Sequence, residues 1–244
     1  MTAPLARRVF AEFLGTGLLV AVVVGSGVTA QRLSTDSGLE LLENAVVTAA
    51  GLPVLILVFG PISGGHFNPV VSLADWFLGR GTRSGISTRD VAAYLPAQVA
   101  GAVGGALLAN AMFNVHQHLS TRARTGVHLW LGEVVATAGL LLVIVALVRS
   151  GRAGQTAWAV GAYIGAAYFF TSSTSFANPA VAVGRMFSDT FAGIAPASVP
   201  GFVIAELIGG AVGLGLIAVL YPPAGAIADQ IVVPHHAEQL ETAS

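Results

Sequence analysis

The sequence predicts an all-α polytopic membrane protein with six transmembrane helices and two re-entrant half-helices, arranged as an inverted repeat. Three observations predict it. Hydrophobic residues make up 55% of the 244 and charged residues 9%, with a mean hydropathy of +0.78, whereas a soluble domain carries about 25% charged residues. Six apolar runs, near 8–30, 44–60, 91–112, 128–148, 157–174 and 199–221, are long enough to cross about 30 Å of hydrocarbon at roughly 20 residues each. Two further apolar stretches, 61–78 and 172–188, are too short to cross, and each contains Asn-Pro.

The first run follows Arg7 and Arg8 and is longer than the apolar region of a signal peptide, which spans about 7–15 residues. It therefore reads as a helix. Short cytoplasmic loops collect basic residues. With the N-terminus inside, Arg7, Arg8, Arg80, Arg83, Arg89, Arg149 and Arg152 lie on the cytoplasmic side, against Arg32, Arg122 and Arg124 outside. Both termini are thus expected in the cytoplasm. The tail, residues 226–244, carries His235, His236, Glu238 and Glu241 and reads as a solvated end, not a metal site. The Lys-free, Arg- and Ala-rich composition points to a bacterial inner membrane.

A net charge of -1 with this hydropathy excludes a disordered or nucleic-acid-binding chain. The absence of cysteine excludes a disulfide framework, a thiolate metal site and a cysteine nucleophile. No cofactor motif is present, so an enzyme is not expected.

In the short stretches, Asn-Pro starts a helix. Asparagine accepts from an orphan backbone N–H as N-cap, and proline at the first position gives up a donor that had no partner. From Asn68 or Asn178, about ten residues make a helix of roughly 15 Å, half the hydrocarbon thickness. Two such half-helices entering from opposite faces meet at the midplane, where Asn68, Pro69, Val70, Asn178, Pro179 and Ala180 are expected.

The halves, 1–115 and 116–225, repeat in the same order. Glu12 matches Glu133, Asn68 matches Asn178, and the Gln98-to-Gly101 pattern matches Glu206-to-Gly209, at offsets of 121, 110 and 108 residues. Each half holds three spans, an odd number, so the second half is inverted relative to the first.

Irregular backbone at membrane depth survives only where protein buries it or water wets it. Residues 61–67 and 172–177, with Gly64, Gly65, His66, Thr174 and Phe176, are expected to line an aqueous path. The positive ends of both half-helices point at one spot. There the Asn68 and Asn178 NH2 groups offer donors to a passing hydroxyl while opposing cations.

Glu12, Glu133 and Glu206 lie within spans, where a carboxylate is costly. Proton relay is one reading of Glu12 and Glu133. A brace accepting loop N–H groups is favoured, since those loops need partners. Glu206 is left facing a neighbouring helix or subunit. His66 reads as pore-lining and not as a metal ligand, because no carboxylate or second histidine stands close in sequence.

The segments AEFLGT, ISGGHFNPVVS, SFANPAV and ELIGGAVG together resemble the aquaporin and aquaglyceroporin (major intrinsic protein) family, over about Arg7 to Tyr221. The resemblance implies a homotetramer in the lipid bilayer with one pore per subunit, passing small neutral solutes. The first motif reads Asn68-Pro69-Val70, with valine where alanine is usual, and the second is Asn178-Pro179-Ala180. After the second motif the family places an arginine, and here the residue is Val181.

Counting along the motifs puts the other filter positions at Thr48, Ala166 and Ser175. A filter of these residues is wide and free of arginine, and it favours polyols or metalloid hydroxides over strict water selectivity. Arg185, one turn beyond Val181, either returns positive charge to the vestibule or snorkels to headgroups. The combination resembles a bacterial subgroup associated with arsenic-resistance gene clusters, which implies arsenite as a solute. A secondary transporter, which also uses inverted repeats and broken helices, and a non-conducting membrane organiser are the competing readings.

Overall fold

The computed structural model describes residues 3–80 and 85–221. Arg83 and the tail 226–244 lie outside them. The regular structure of the described residues is helical: α1 (Leu5–Leu33), α2 (Ser37–Ser63), α3 (Pro69–Gly79), α4 (Thr88–Met112), α5 (Val127–Arg149), α6 (Thr156–Phe170), α7 (Pro179–Arg185) and α8 (Val199–Leu220).

The helix starts follow from local chemistry. Asp36 caps α2 by accepting from the backbone N–H groups of Gly38 and Leu39 at 2.8 and 3.0 Å. Ser87 and Asp90 form a reciprocal capping box on α4, which satisfies two orphan donors at once. Asp90 also pairs with Arg8 of α1 at 2.9 Å, tying the first turns of α1 and α4 together. Asn68 and Asn178 cap α3 and α7, each followed by proline at the first helical position.

Small residues set how closely the long helices approach. A Cβ on Gly101 would sit 2.1 Å from the Phe13 carbonyl oxygen, and one on Gly105 would sit 2.0 Å from that of Gly17. The backbones of α1 and α4 therefore touch. In the second half, a Cβ on Gly209 of α8 would lie 2.6 Å from the Val134 oxygen of α5. Such contacts drive helix association where the surrounding solvent is itself apolar. The half-helices fill the middle, α3 against α4 and α8, and α7 against α4, α8 and α1.

Four of the long helices and the segment Pro196–Leu220 are long and apolar enough to cross a membrane. The sixth member of the bundle, α6, has 15 residues, about 22 Å at 1.5 Å each. It ends at Phe170 and not at 174 as the apolar run suggested. Thr171 turns its hydroxyl back onto the Ala167 oxygen at 2.7 Å, and Ser172 donates to the His128 oxygen at 2.6 Å, so the chain leaves the helix early. The half-helix α7 is likewise shorter than the expected 178–188 and stops at Arg185. Beyond it, Asn110 of α4 holds the chain, donating to the Phe187 oxygen at 2.8 Å and accepting from the Ser188 hydroxyl at 2.7 Å.

The packing contrast is testable at adjacent positions. Gly105→Ala is expected to lower stability by about 1–3 kcal/mol through overpacking. Gly104→Ala, where a Cβ meets nothing within 4 Å, should hold or raise the thermal unfolding midpoint in detergent, since alanine is the better helix former. Equal midpoints for the two variants would contradict the close approach of α1 and α4.

Candidate functional site

Between α2 and α3, and between α6 and α7, the backbone is irregular and buried, so its N–H groups need acceptors. A carboxylate from the first helix of each half supplies them. Glu12 is 0% exposed. Its Oε1 accepts from the Ser63 hydroxyl at 2.6 Å and the His66 N–H at 3.0 Å, and its Oε2 from the Phe67 N–H at 2.7 Å and the Gln98 amide at 2.8 Å. Glu133, equally buried, accepts from the Phe176 N–H at 2.9 Å and the Ala177 N–H at 2.6 Å.

These bonds hold a strained conformation. Phe67 and Ala177, the residues just before the two asparagines, have φ of 49° and 50°, in the left-handed region that side-chain-bearing residues avoid. Each such residue costs about 1–3 kcal/mol and persists only where its surroundings over-determine it.

The asparagines then meet. Asn68 Oδ1 accepts from the Val70 N–H at 2.9 Å, and Asn178 Oδ1 from those of Ala180 and Val181 at 3.0 and 3.3 Å. The Asn68 amide donates across the junction to the Ala177 oxygen at 2.7 Å, and the Asn178 amide donates to the Phe67 oxygen at 2.8 Å. An NH2 group has two donors. One is spent on the crossed bond, leaving one per asparagine for the lumen.

Both asparagines line a narrow cavity of about 60 Å³, room for a short file of waters. The long helices contribute an apolar lining of Leu19, Val23, Leu140, Ile144, Val160 and Ile164. The polar lining comes from His66, Asn68, Asn178, Ser175, Thr48, Tyr168 and Arg185. Among the described residues no carboxylate lines the cavity.

Several expected positions shift. Ala166 is exposed and is not part of the lining; Tyr168, two residues on, lines the cavity, with its hydroxyl 3.2 Å from that of Thr48. At about 100° per residue, positions 166 and 168 of α6 stand on nearly opposite faces, so a count along the motifs that is two residues short lands on the wrong face. Phe176 lines the cavity, whereas Thr174 is partly exposed outside it and Gly64 is buried behind it as the left-handed cap of α2. Pro69, Val70, Pro179 and Ala180 are buried in packing, and the half-helix residues that reach the cavity are Val71, Val181 and Arg185.

The expected freedom from arginine holds only at position 181. Arg185 is 2% exposed and lines the cavity. Its Nε donates to the Ala192 oxygen and its guanidinium stacks 3.5 Å from the centre of the Phe176 ring, so it does not snorkel. Arg124 approaches the same ring at 5.3 Å and Arg122 covers Phe191 at 5.2 Å. Burial first, then the charges of Arg185 and Arg122, push the Arg124 guanidinium down to about 9. It stays charged at neutral pH, and this end of the cavity is strongly electropositive.

His66 also differs from the sequence reading, because a carboxylate does stand beside it. Asp75, buried on α3, lies 3.5 Å from His66 Nε2, while Nδ1 is 3.0 Å from the Ser72 hydroxyl. Among the described residues no group of three ligands suits a metal. The spacing from His66 to Asp75, across a loop and two helical turns, hid this pair.

The chain matches the model of the family described as Major intrinsic protein over residues 1–175. It is 52% identical over 227 residues to aquaglyceroporin AqpS of Rhizobium meliloti (strain 1021), covering 93% of this chain and 95% of that protein. It is 32% identical over 176 residues to the propanediol uptake facilitator PduF of Citrobacter freundii, covering 62% of this chain and 63% of that one. Among solved structures, the aquaglyceroporin from Plasmodium falciparum superposes with a TM-score of 0.72 at 18% identity, over 90% of this chain and 98% of that chain.

Valine at the first motif has a structural counterpart. A Cβ on Gly210 of α8 would lie 2.7 Å from Val70 Cγ1, and valine is stiff at χ1. Gly210→Ala should therefore destabilise by about 1–3 kcal/mol, and Val70→Ala in the same chain should recover most of that loss. Additive effects in a thermal-unfolding double-mutant cycle would contradict the contact.

Proposed function

The chain belongs to the major intrinsic protein family, and from that premise we propose that it is a passive membrane channel for water, glycerol-like polyols and neutral metalloid hydroxides such as arsenite. The observation that carries this reading is the pair of crossed bonds, Asn68 to Ala177 and Asn178 to Phe67, at a cavity both asparagines line. They leave two amide donors where the positive ends of α3 and α7 converge. A hydroxyl entering this point accepts hydrogen bonds that replace those it leaves in water. A cation meets only donors and like charge, with no carboxylate to offset its desolvation.

The filter in this reading comprises Thr48, Tyr168, Ser175, Val181 and Arg185. Arg185 takes the part that position 181 leaves vacant, with donors set one turn further along. A polyol suits a lining that is part apolar and part polar, with Val160 and Ile164 for its carbons and Ser175, Arg185 and the asparagines for its hydroxyls. The names of the relatives, an aquaglyceroporin and a propanediol uptake facilitator, agree with solutes of this size. The arginine bias places both termini in the cytoplasm, which turns the Arg185 end outward. The large apolar side chains exposed on the bundle, among them Leu57, Trp158 and Ile204, face lipid and the neighbouring subunits of a tetramer.

Stopped-flow permeabilities for water, glycerol and arsenite in one vesicle preparation test the reading. Downhill flux of all three, linear in the gradient and indifferent to an uncoupler, is expected. Uncoupler-sensitive concentrative uptake would establish a transporter instead, and water flux no higher than that of empty lipid would establish a non-conducting role. Asn178→Asp should admit monovalent cations, read as vesicle conductance, by replacing a donor with negative charge at the junction. Unchanged conductance would contradict exclusion at that point.

A further inference from the structure

In the first half, the loop before Asn68 is held by Glu12 and by a second polar side chain from the third long helix, Gln98. Its amide donates to Glu12 Oε2 at 2.8 Å and to the Ser72 hydroxyl at 2.9 Å. At the matching position of the second half, 108 residues on, the side chain is an acid. Glu206 is 0% exposed. Its Oε1 accepts from the backbone N–H of Asn178 at 3.0 Å. Its Oε2 is buried and takes no hydrogen bond from an N–H or O–H of the described residues.

Glu133 and Glu206 accept from the backbone N–H groups of consecutive residues, Ala177 and Asn178, which sets the two carboxyl groups side by side. Glu133 already has both oxygens accepting, from Phe176 and Ala177, as an ionised carboxylate does. Among the described residues no arginine or histidine forms an ion pair with either acid. The nearby cation, Arg185, is committed to the Ala192 oxygen and the Phe176 ring. Two ionised carboxylates in contact, fully buried and without a paired cation, are not sustainable. A hydrogen on Glu206 Oε2 removes the conflict and supplies the donor that Gln98 supplies to Glu12.

We propose that Glu206 is a positioning residue that works as a neutral carboxylic acid in the place of an amide, donating its O–H to Glu133 and accepting the backbone N–H of Asn178. It thereby fixes the cap of α7 at the junction where the two asparagines meet. The inference rests on the channel reading only in taking Asn178 for a pore residue.

Glutamine at 206 reproduces both bonds, since its oxygen can face Asn178 and its NH2 can face Glu133. Alanine reproduces neither. Infrared spectra of the reconstituted protein at neutral pH should show the carbonyl stretch of an un-ionised carboxylic acid, and Glu206→Gln should abolish it. Osmotic water permeability should stay within about twofold of wild type in Glu206→Gln and fall by about tenfold or more in Glu206→Ala, which strips partners from two buried groups.

A wild-type spectrum without that band, a band unchanged in Glu206→Gln, or equal loss of flux in the glutamine and alanine variants would overturn the proposal. The infrared comparison decides the matter even where Glu206→Ala fails to fold. Failure of the channel reading has a different signature, wild-type vesicles without water flux but with the Glu206 band intact.

Discussion

Four backbone N–H groups, those of His66, Phe67, Phe176 and Ala177, sit at the depth of the bilayer's interior with no helix to satisfy them, and two glutamates accept all four. Everything else about the site depends on that. An unsatisfied buried donor costs about 1–3 kcal/mol, so without Glu12 and Glu133 the chain would fold these residues into helix or push them out to water. With them, Phe67 and Ala177 stay left-handed, the chain reverses, and Asn68 and Asn178 arrive facing one another's loop.

Close helix packing makes the braces possible. Gly17, Gly101 and Gly105 let α1 and α4 touch backbone to backbone, which brings Gln98 of α4 onto the carboxylate of α1. In the second half, Gly209 sets α8 against α5 in the same way, so that Glu133 and Glu206 take the N–H groups of the consecutive residues Ala177 and Asn178. The scaffold is thus rigid where the asparagines need fixed positions. The apolar part of the cavity lining supplies no hydrogen bond that would trap a solute, and a site that passes solutes must release them as readily as it admits them.

Much of this is legible in the sequence because membrane depth leaves few options. Long apolar runs give the spans, Asn-Pro gives the half-helix starts, and carboxylates inside spans single out Glu12 and Glu133 for the donors they require. What sequence reading misses turns on helix ends and faces. The chain leaves α6 at Phe170, where Ser172 turns to the His128 oxygen, and the rotation of α6 presents Tyr168 to the cavity and Ala166 away from it. The inward course of Arg185 depends on a carbonyl and a ring from elsewhere in the chain. Asp75 reaches His66 only through the turn of α3. The role of Glu206 is visible in the repeat, as the counterpart of Gln98, but its meaning needs the position of Glu133.

The central claim is that solutes pass between the two half-helices, along the wall that carries Ser175. The chain contains no cysteine, so one introduced thiol reports without background. Ser175 is 3% exposed and lines the cavity, and Ser175→Cys changes a single atom there. Osmotic water permeability of vesicles holding this variant, measured before and after mercuric ion, is the most direct measurement. Loss of flux to the level of empty lipid, restored by excess thiol and absent from wild type, is the expected result. Flux that mercuric ion leaves unchanged would contradict a conduit at this wall.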